Sequence, residues 1–131
     1  MSTHFDRPGL PALGIVSAME EEDRQLLSNY GEFLPVQEGD RLIDEGTDQN
    51  SLLFLISGLL HVVTTKDDKL VLLARVEPGE SIGEVNLFDP AKASASVVAK
   101  SFSQVWKARR NDLDDFLNAY PEAAGRLMIG L

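Results

Sequence analysis

A glycine followed by a glutamate, Gly83-Glu84, is the pair in this sequence best suited to ligand binding. It lies in the stretch EPGESIGEVNLFDPAKASASVVA, where a glycine loop can present backbone amides to a ligand. Glycine tolerates positive φ and lets backbones come close, so glycines between short apolar runs indicate the turns of a β-rich body. Four more glycines follow this pattern upstream: Gly39, Gly46, Gly58 and Gly79.

The inventory of nucleophiles and metal ligands argues against an enzyme. There are two histidines, His4 and His61, and no cysteine. A cupin, the rival small β-roll, normally binds its metal through several histidines and a carboxylate. A Ser-His-Asp or Cys-His nucleophile is equally hard to assemble from this inventory. We therefore expect no catalytic residue and no metal site. The alternative from another class is a small hydrolase or metal-dependent enzyme on a β-roll.

The charged clusters have structural interpretations. The acidic run at 20–23 and the acids at 112–115 are typical of helix starts, where the helix dipole favours them. Asp67-Asp68 is typical of a hairpin tip. The basic pair Arg109-Arg110 is too small to bind a nucleic acid, and the sequence has no EF-hand spacing and no P-loop.

Composition sets further bounds on function. The 131 residues are enough for one domain with a core, and the formal net charge is −9. An acidic surface disfavours nucleic acid and anionic membranes, which need neutralisation by Lys and Arg. The apolar segment 52–63 contains Ser57, Gly58 and His61 and is too short to span a bilayer. The lack of cysteine and of a targeting signal suits the cytoplasm.

Periodicity predicts a helix, then strands, then two helices. Residues 1–16 are expected to be an irregular arm, and 17–131 a single domain. Ser17 and Glu20 predict a capping box for a helix at about 18–30. Asn111 could cap a helix at 112–120, and Pro121 suits the first turn of another at 122–130. Between them, strands are predicted at 33–36, 41–43, 52–56, 59–65, 70–76, 96–100 and 104–107, an even spacing that indicates an antiparallel sandwich or roll.

These glycines, in this order and with these gaps, resemble the cyclic-nucleotide-binding domain of the catabolite-activator and protein-kinase-regulatory type. The resemblance covers roughly 19–131. Pro78-Gly79 matches the Pro-Gly before that family's phosphate-binding cassette, and Ser81-Ile82-Gly83-Glu84 stands where Phe-Gly-Glu is usual. The resemblance implies a mostly β fold: an antiparallel, jelly-roll-like β-roll with one N-terminal and two C-terminal helices. Downstream matches are Val97, Val98, Ala99, Arg109, Leu113, Phe116, Pro121 and Leu127.

The family's cassette reads Gly-Glu-Leu-Ala, a variable stretch, then Pro-Arg-Ala-Ala-Thr-Val. The resemblance implies that its glutamate binds the ribose 2′-hydroxyl and its arginine neutralises the cyclic phosphate, assisted by backbone amides. Here 83–99 aligns without a gap, with Gly83 and Glu84 retained and Ala93 at the arginine position. The remaining candidate pocket residues are Val85 for Leu, Asn86 for Ala, Lys92 for Pro, and Ser94 and Ala95, which continue the pattern.

The missing arginine predicts that ordinary cAMP and cGMP recognition is lost. A charge-assisted hydrogen bond contributes about 1.5–3 kcal/mol, which corresponds to roughly 10- to 150-fold in affinity. Replacement by Lys92 is not favoured, because neighbours on a strand point to opposite faces and because a lysine is a point charge and not a fork.

We therefore expect a non-catalytic regulatory or sensor module in signalling. It would act through another protein or through a small ligand without a cyclic phosphate, with no cofactor, nucleic acid or membrane partner. The alternative is a genuine cyclic-nucleotide sensor for cAMP or cGMP, whose phosphate is held by backbone amides and by Lys92, Arg109 or Arg110. The glycines would build the roll whether or not anything binds.

Overall fold

Short antiparallel strands form the body of this computed structural model, which describes residues 9–83 and 91–130. Over those ranges the elements are α1 (Glu21–Ser28), β1 (Glu32–Val36), β2 (Arg41–Ile43), β3 (Asp48–Gln49), β4 (Ser51–Ser57), β5 (Leu60–Lys66), β6 (Lys69–Val76), β7 (Ser81–Ile82), β8 (Ala91–Lys92), β9 (Ser96–Ala99), β10 (Ser103–Arg109), α2 (Arg110–Ala119) and α3 (Pro121–Gly130). Sheet A has the order β1-β10-β4-β7, and sheet B has the order β2-β9-β5-β6. The predicted mostly β roll with flanking helices is confirmed.

Strand β4 is buried on both of its faces, and this divides the core in two. Successive side chains of a strand point to opposite faces. Leu52 and Phe54 therefore pack under the helices together with Trp106, Phe116 and other buried residues. Leu53 and Leu55 point into the roll, where sheet B covers them. A continuous apolar run is thus accommodated within a seven-residue strand.

The β5–β6 hairpin confirms the predicted tip at Asp67-Asp68. Both residues have positive φ, +53° and +62°. That backbone matches the type I′ turn of a two-residue hairpin, and aspartate tolerates it better than most residues. The register pairs Lys66 with Lys69 directly across the turn.

The N-terminal helix differs from the predicted one. It begins at Glu21, and its capping residue Glu20 makes no side-chain hydrogen bond, so the predicted capping box is wrong. The Ser17 hydroxyl instead donates to the Gly14 carbonyl at 2.8 Å. The Ser17 hydroxyl makes this bond because Ser17 directly follows a short 3-10 helix, Gly14–Val16. Within the stretch expected to be irregular, Leu10 and Val16 are buried under sheet A.

The C-terminal helices follow the predicted pattern with one shifted boundary. Helix α2 begins at Arg110, so Asn111 lies in its first turn and the prediction that Asn111 caps it is wrong. Helix α3 begins at Pro121 as predicted, because a proline at this position lacks only an N–H that would be unpaired anyway. Leu113 and Phe116 of α2 are buried against sheet A. In the ranges 9–83 and 91–130, every helix falls short of the length and apolarity that a bilayer requires.

Three two-residue strands were not predicted from the sequence. β7 extends the edge of sheet A, and β3 pairs with β8 in a separate ladder. In that ladder Asp48 lies opposite Lys92 and Gln49 opposite Ala91. These pairings have no hydrophobic periodicity of their own, because two residues cannot display a period. They connect the cassette to the segment just before β4.

Candidate functional site

Ala93, the residue at the family's arginine position, lies in the interior of the roll. It is only 9% exposed and belongs to the apolar cluster that contains Ile43 and Val97. Its N–H donates to the carbonyl of Thr47 at 2.8 Å, and its carbonyl accepts from the N–H of Gly46 at 2.8 Å. The backbone of Ala93 is thus fixed, and its methyl group contributes to an apolar wall.

The turn that holds Ala93 depends on Gly46. This glycine has φ +86°, a conformation that side chains disfavour. Thr47 closes the turn, since its N–H and its hydroxyl both donate to the Asp44 carbonyl, at 3.1 and 2.6 Å. The turn therefore presents one donor and one acceptor to the cassette backbone. Gly46 was predicted as a turn, but its bond to Ala93 was not.

The start of the cassette borders the same apolar interior. Gly83 has φ +98° and directly follows β7, whose Ile82 packs against the cluster that includes Ala93. Gly83 is therefore the chain neighbour of a residue that packs against the cluster to which Ala93 belongs. Of the other candidate site residues, Glu84, Val85 and Asn86 lie outside the described ranges. Lys92 is described through its backbone alone, in β8.

The end of the cassette contains a small polar network. Ser94 is exposed, Ala95 is buried, and the buried Ser96 accepts hydrogen bonds through Oγ. The donors are the N–H of Glu45 at 2.9 Å and the Arg41 guanidinium at 3.4 Å. Arg41 also lies 3.5 Å from Asp44 Oδ1. The guanidinium in contact with the cassette is thus already paired.

Strand alternation places Arg41 on the far side of sheet B from Ala93. Arg41 lies opposite Val98 in the β2–β9 register. Val97 and Ala99 belong to the interior cluster, so Val98 and its neighbour Arg41 face outward. Sequence reasoning did not name Arg41 as a contact of the cassette. The register of β2 against β9 would have indicated this contact, but the sequence alone does not give that register.

The basic pair named as an alternative source of positive charge has a different environment. Arg109 lines a cleft of about 410 Å³ together with Tyr30, Lys107, Asp112 and Asp115. Burial raises the pKa of the Tyr30 phenol, and Tyr120 adds to the shift. Glu32 also lines the cleft, so three carboxylates outnumber its two cations. Arg110 begins α2, and its N–H donates to the Asn50 carbonyl at 2.9 Å.

Lys107 is a cation near the cassette that sequence reasoning missed. It also lines a smaller cavity of about 170 Å³, whose walls include Asp44, Thr47 and Asp48. Thr47 is the residue that accepts the Ala93 N–H, so this cavity adjoins the turn that holds the cassette. The cavity contains two carboxylates, a poor environment for an anionic ligand.

His61 is a strand residue and takes no part in a metal cluster. Partial burial lowers the pKa of its imidazole, and the nearby Lys100 and Arg75 add to the shift. Within the described part of the chain, no group of three His, Asp or Glu side chains could hold a metal ion.

Comparison with known proteins places this geometry in context. The family model described as "Cyclic nucleotide-binding domain" matches residues 33–120. The Pycsar effector protein BcPycTIR of Burkholderia cepacia is 30% identical over 102 residues, 77% of this chain and 32% of that protein. The chain spans about a third or less of the curated relatives it matches.

Solved structures agree in fold. The N-terminal domain of a transcriptional regulator from Streptomyces coelicolor A3(2) superposes with a TM-score of 0.79 at 29% identity, over 88% of this chain and 82% of that one. The regulatory subunit of a cAMP-independent protein kinase A from Trypanosoma brucei gives a TM-score of 0.75 at 20% identity. That match covers 96% of this chain and 48% of that one.

Proposed function

The chain belongs to the cyclic nucleotide-binding domain family, and we propose that it is a regulatory module that has lost ordinary recognition of cAMP and cGMP. It is a module of the regulatory β-roll fold. The proposal adds that the module is non-catalytic and acts in the cytoplasm, through another protein or through a ligand without a cyclic phosphate.

The observation that carries the proposal is the environment of Ala93. A buried phosphate needs a compensating cation, because an uncompensated charge in a low-dielectric interior is costly. Ala93 offers a methyl group, and both of its backbone polar groups are already bonded to the Gly46–Thr47 turn. The loss of one charge-assisted hydrogen bond reduces affinity by roughly 10- to 150-fold, and more when the phosphate is desolvated.

The neighbouring cations support the same conclusion. Arg41 is bound to Asp44 on the outer face of sheet B, and Arg109 lines a cleft that it shares with three carboxylates. Lys107 lines a cavity together with Ile43 of the cluster around Ala93, but two carboxylates share that cavity. A regulatory role without cyclic AMP also has a precedent in the fold, since the related Trypanosoma brucei subunit is described as cAMP-independent.

Isothermal titration calorimetry of the purified chain with cAMP and with cGMP tests the proposal. We expect dissociation constants of about 1 mM or weaker for both nucleotides. A micromolar constant would refute the loss of recognition and favour the alternative, a sensor with a non-standard phosphate site. In that case Lys92→Ala, Arg109→Ala and Arg110→Ala would identify the cation responsible.

A further inference from the structure

A cleft lies where strand β10 continues past the start of its neighbour β1. In the β1–β10 register Glu32 is opposite Lys107, so the last two residues of β10, 108 and 109, have no partner in β1. Residues 29–31, which connect α1 to β1, and helix α2, which begins directly after Arg109, provide the other walls. The space between them is the cleft of about 410 Å³ that Arg109 lines, here called the β10 cleft. Its volume is within the range of small-molecule sites.

Charged side chains of both signs line the β10 cleft. Lys107 and Arg109 supply two cations, and Glu32, Asp112 and Asp115 supply three carboxylates. Over residues 9–83 and 91–130, none of these five groups takes part in an ion pair. Unpaired charges of opposite sign around one cleft complement a ligand that itself carries both signs.

The periods of strand and helix explain why these charges converge. Lys107 and Arg109 are two residues apart on β10, so their side chains leave the same face of the strand. Asp112 and Asp115 are three residues apart on α2, so they share one side of the helix. Glu32 adds its carboxylate opposite Lys107. The cations therefore lie on the strand side of the cleft, and two of the carboxylates lie on the helix side.

Tyr30 gives the β10 cleft an aromatic wall in a fixed position. Its ring makes edge-to-face contacts with Phe116 and Tyr120, at centroid separations of 5.4 and 6.3 Å. Phe116 is fully buried under sheet A, so it anchors the ring from behind. An aromatic face beside carboxylates favours a flat cation, above all a guanidinium, which can stack on a ring and bind a carboxylate through two N–H groups.

We propose that the β10 cleft binds a free dibasic amino acid, for which L-arginine is the model ligand. The ligand carboxylate binds Lys107 and Arg109, and its α-ammonium and guanidinium bind the three carboxylates of the cleft. A ligand with one negative and two positive groups complements a lining in which carboxylates outnumber cations by one. The inference rests on the part of the proposed function in which the module responds to a ligand without a cyclic phosphate, and it names the class and the site of that ligand.

Ligands of other charge types match this lining less well. The three carboxylates of the cleft do not form a group that could hold a metal ion. A simple amine leaves Lys107 and Arg109 without an anion, and a simple carboxylate leaves the acids of the cleft without a cation. Four of the five charged side chains are exposed, so water screens each contact and the affinity of the ligand is modest.

Titration of the ¹⁵N-labelled chain with L-arginine, followed by NMR, tests the proposal. We expect saturable amide shifts centred on residues 29–32 and 107–115, with a dissociation constant of about 0.1 mM. L-citrulline has a neutral urea group in place of the guanidinium, and agmatine lacks the carboxylate. Each should bind at least about tenfold more weakly, because each has lost a group that makes more than one contact with the cleft.

A fourth compound distinguishes the free amino acid from the end of a protein chain. Nα-acetyl-L-arginine has the carboxylate and the guanidinium of a C-terminal arginine but lacks the α-ammonium. It should bind at least about threefold more weakly than L-arginine, since one charged contact is lost. Equal binding would identify a chain terminus as the occupant and would overturn the proposal of a free amino acid.

Two pairs of neighbouring residues provide variants with matched controls. Asp115 lines the cleft, whereas the adjacent Asp114, also exposed on α2, does not. Arg109 lines it, whereas the adjacent Arg110 does not. Asp115→Asn and Arg109→Gln should each weaken L-arginine binding at least about threefold. Asp114→Asn and Arg110→Gln change the net charge by the same amount and should bind as the parent does, and circular dichroism should show all four variants folded.

Three further results would overturn this inference: no saturable shift up to about 10 mM L-arginine, equal binding of citrulline or agmatine, or equal effects of a cleft variant and its control. Nucleotide calorimetry on the same samples keeps the two proposals separate. Tight cAMP binding would refute the loss of nucleotide recognition and leave the arginine result unchanged. Absence of arginine binding would remove the site and leave the reasoning from Ala93 unchanged.

Discussion

Replacing Ala93 with arginine should restore affinity for cAMP and lower the stability of the unliganded protein. Ala93 is 9% exposed in an apolar cluster, and its backbone is fixed by two hydrogen bonds of 2.8 Å. A guanidinium introduced there has no described acidic partner in the cluster. An uncompensated charge in a protein interior costs about 3–5 kcal/mol. For a chain of this size, that corresponds to a fall in melting temperature of about 10–25 °C.

The same guanidinium should bind the cyclic phosphate. A charge-assisted hydrogen bond contributes about 1.5–3 kcal/mol, so the affinity for cAMP should rise at least about tenfold. Because ligand binds the folded state, cAMP should also recover stability, by about 2.7 kcal/mol at a concentration of 100 times the dissociation constant. Calorimetry measures the first effect, and thermal unfolding at increasing cAMP concentrations measures the second.

Ala93→Met is the matched control for this experiment. It adds a long side chain at the same buried position without a charge, so it reports the effect of volume alone. We expect Ala93→Met to gain no affinity for cAMP. If Ala93→Arg folds and binds no better than the parent, the missing cation is not what limits binding and the reasoning is refuted. An equal gain for Ala93→Met would also refute it.

Three further predictions concern stability, each measured by chemical denaturation. Gly14→Ala should destabilise strongly, because a Cβ at Gly14 would overlap the Gly79 carbonyl and because Gly14 has φ +49°. Gly125→Ala, which has open space around it in α3, should stabilise by about 0.5–1 kcal/mol. Equal effects of the two substitutions on stability would contradict this contrast. Ser96→Ala should cost about 1–3 kcal/mol, because it leaves the Glu45 N–H without its acceptor, and Ser96→Thr should restore much of that loss. Asp68→Gly should stabilise by about 1 kcal/mol, because glycine has no steric penalty at φ +62°, and a loss of stability would show that the aspartate side chain contributes to the turn.

Long-range pattern predicted the fold better than local motif did. The seven longer strands follow from turn residues between apolar runs, and a slip of one residue in β9 would have turned Val97 and Ala99 away from the apolar interior. The capping box failed because its rule considers Ser17 and Glu20 alone. In the fold, the preceding 3-10 helix offers the Ser17 hydroxyl a nearer acceptor, the Gly14 carbonyl.

The surroundings of the cassette could not be predicted, because they depend on strands distant in sequence. Arg41 contacts Ser96 across 55 residues, and Ser96 accepts from Glu45 across 51. Lys107 comes near Thr47 because β10 pairs with β4 and β4 follows that turn closely. Each contact requires a sheet register, and a single sequence supplies no direct information on which strands pair. The identity of residue 93 was readable, but its hydrogen-bond partners were not.

The bond between Gly46 and Ala93 bears on how the glycine pattern should be interpreted. Gly46, which has positive φ in this turn, donates its N–H to the Ala93 carbonyl, and the Thr47 carbonyl accepts the N–H of Ala93. Both bonds involve backbone atoms, so they form whether residue 93 is alanine or arginine. The turn glycines therefore stabilise the cassette as part of the fold, and their presence is expected in proteins that bind a cyclic nucleotide and in those that do not. Under the proposed loss of recognition, the two classes are distinguished by the side chain at position 93, because an arginine there would offer a cation to a phosphate entering the roll and an alanine offers a methyl group.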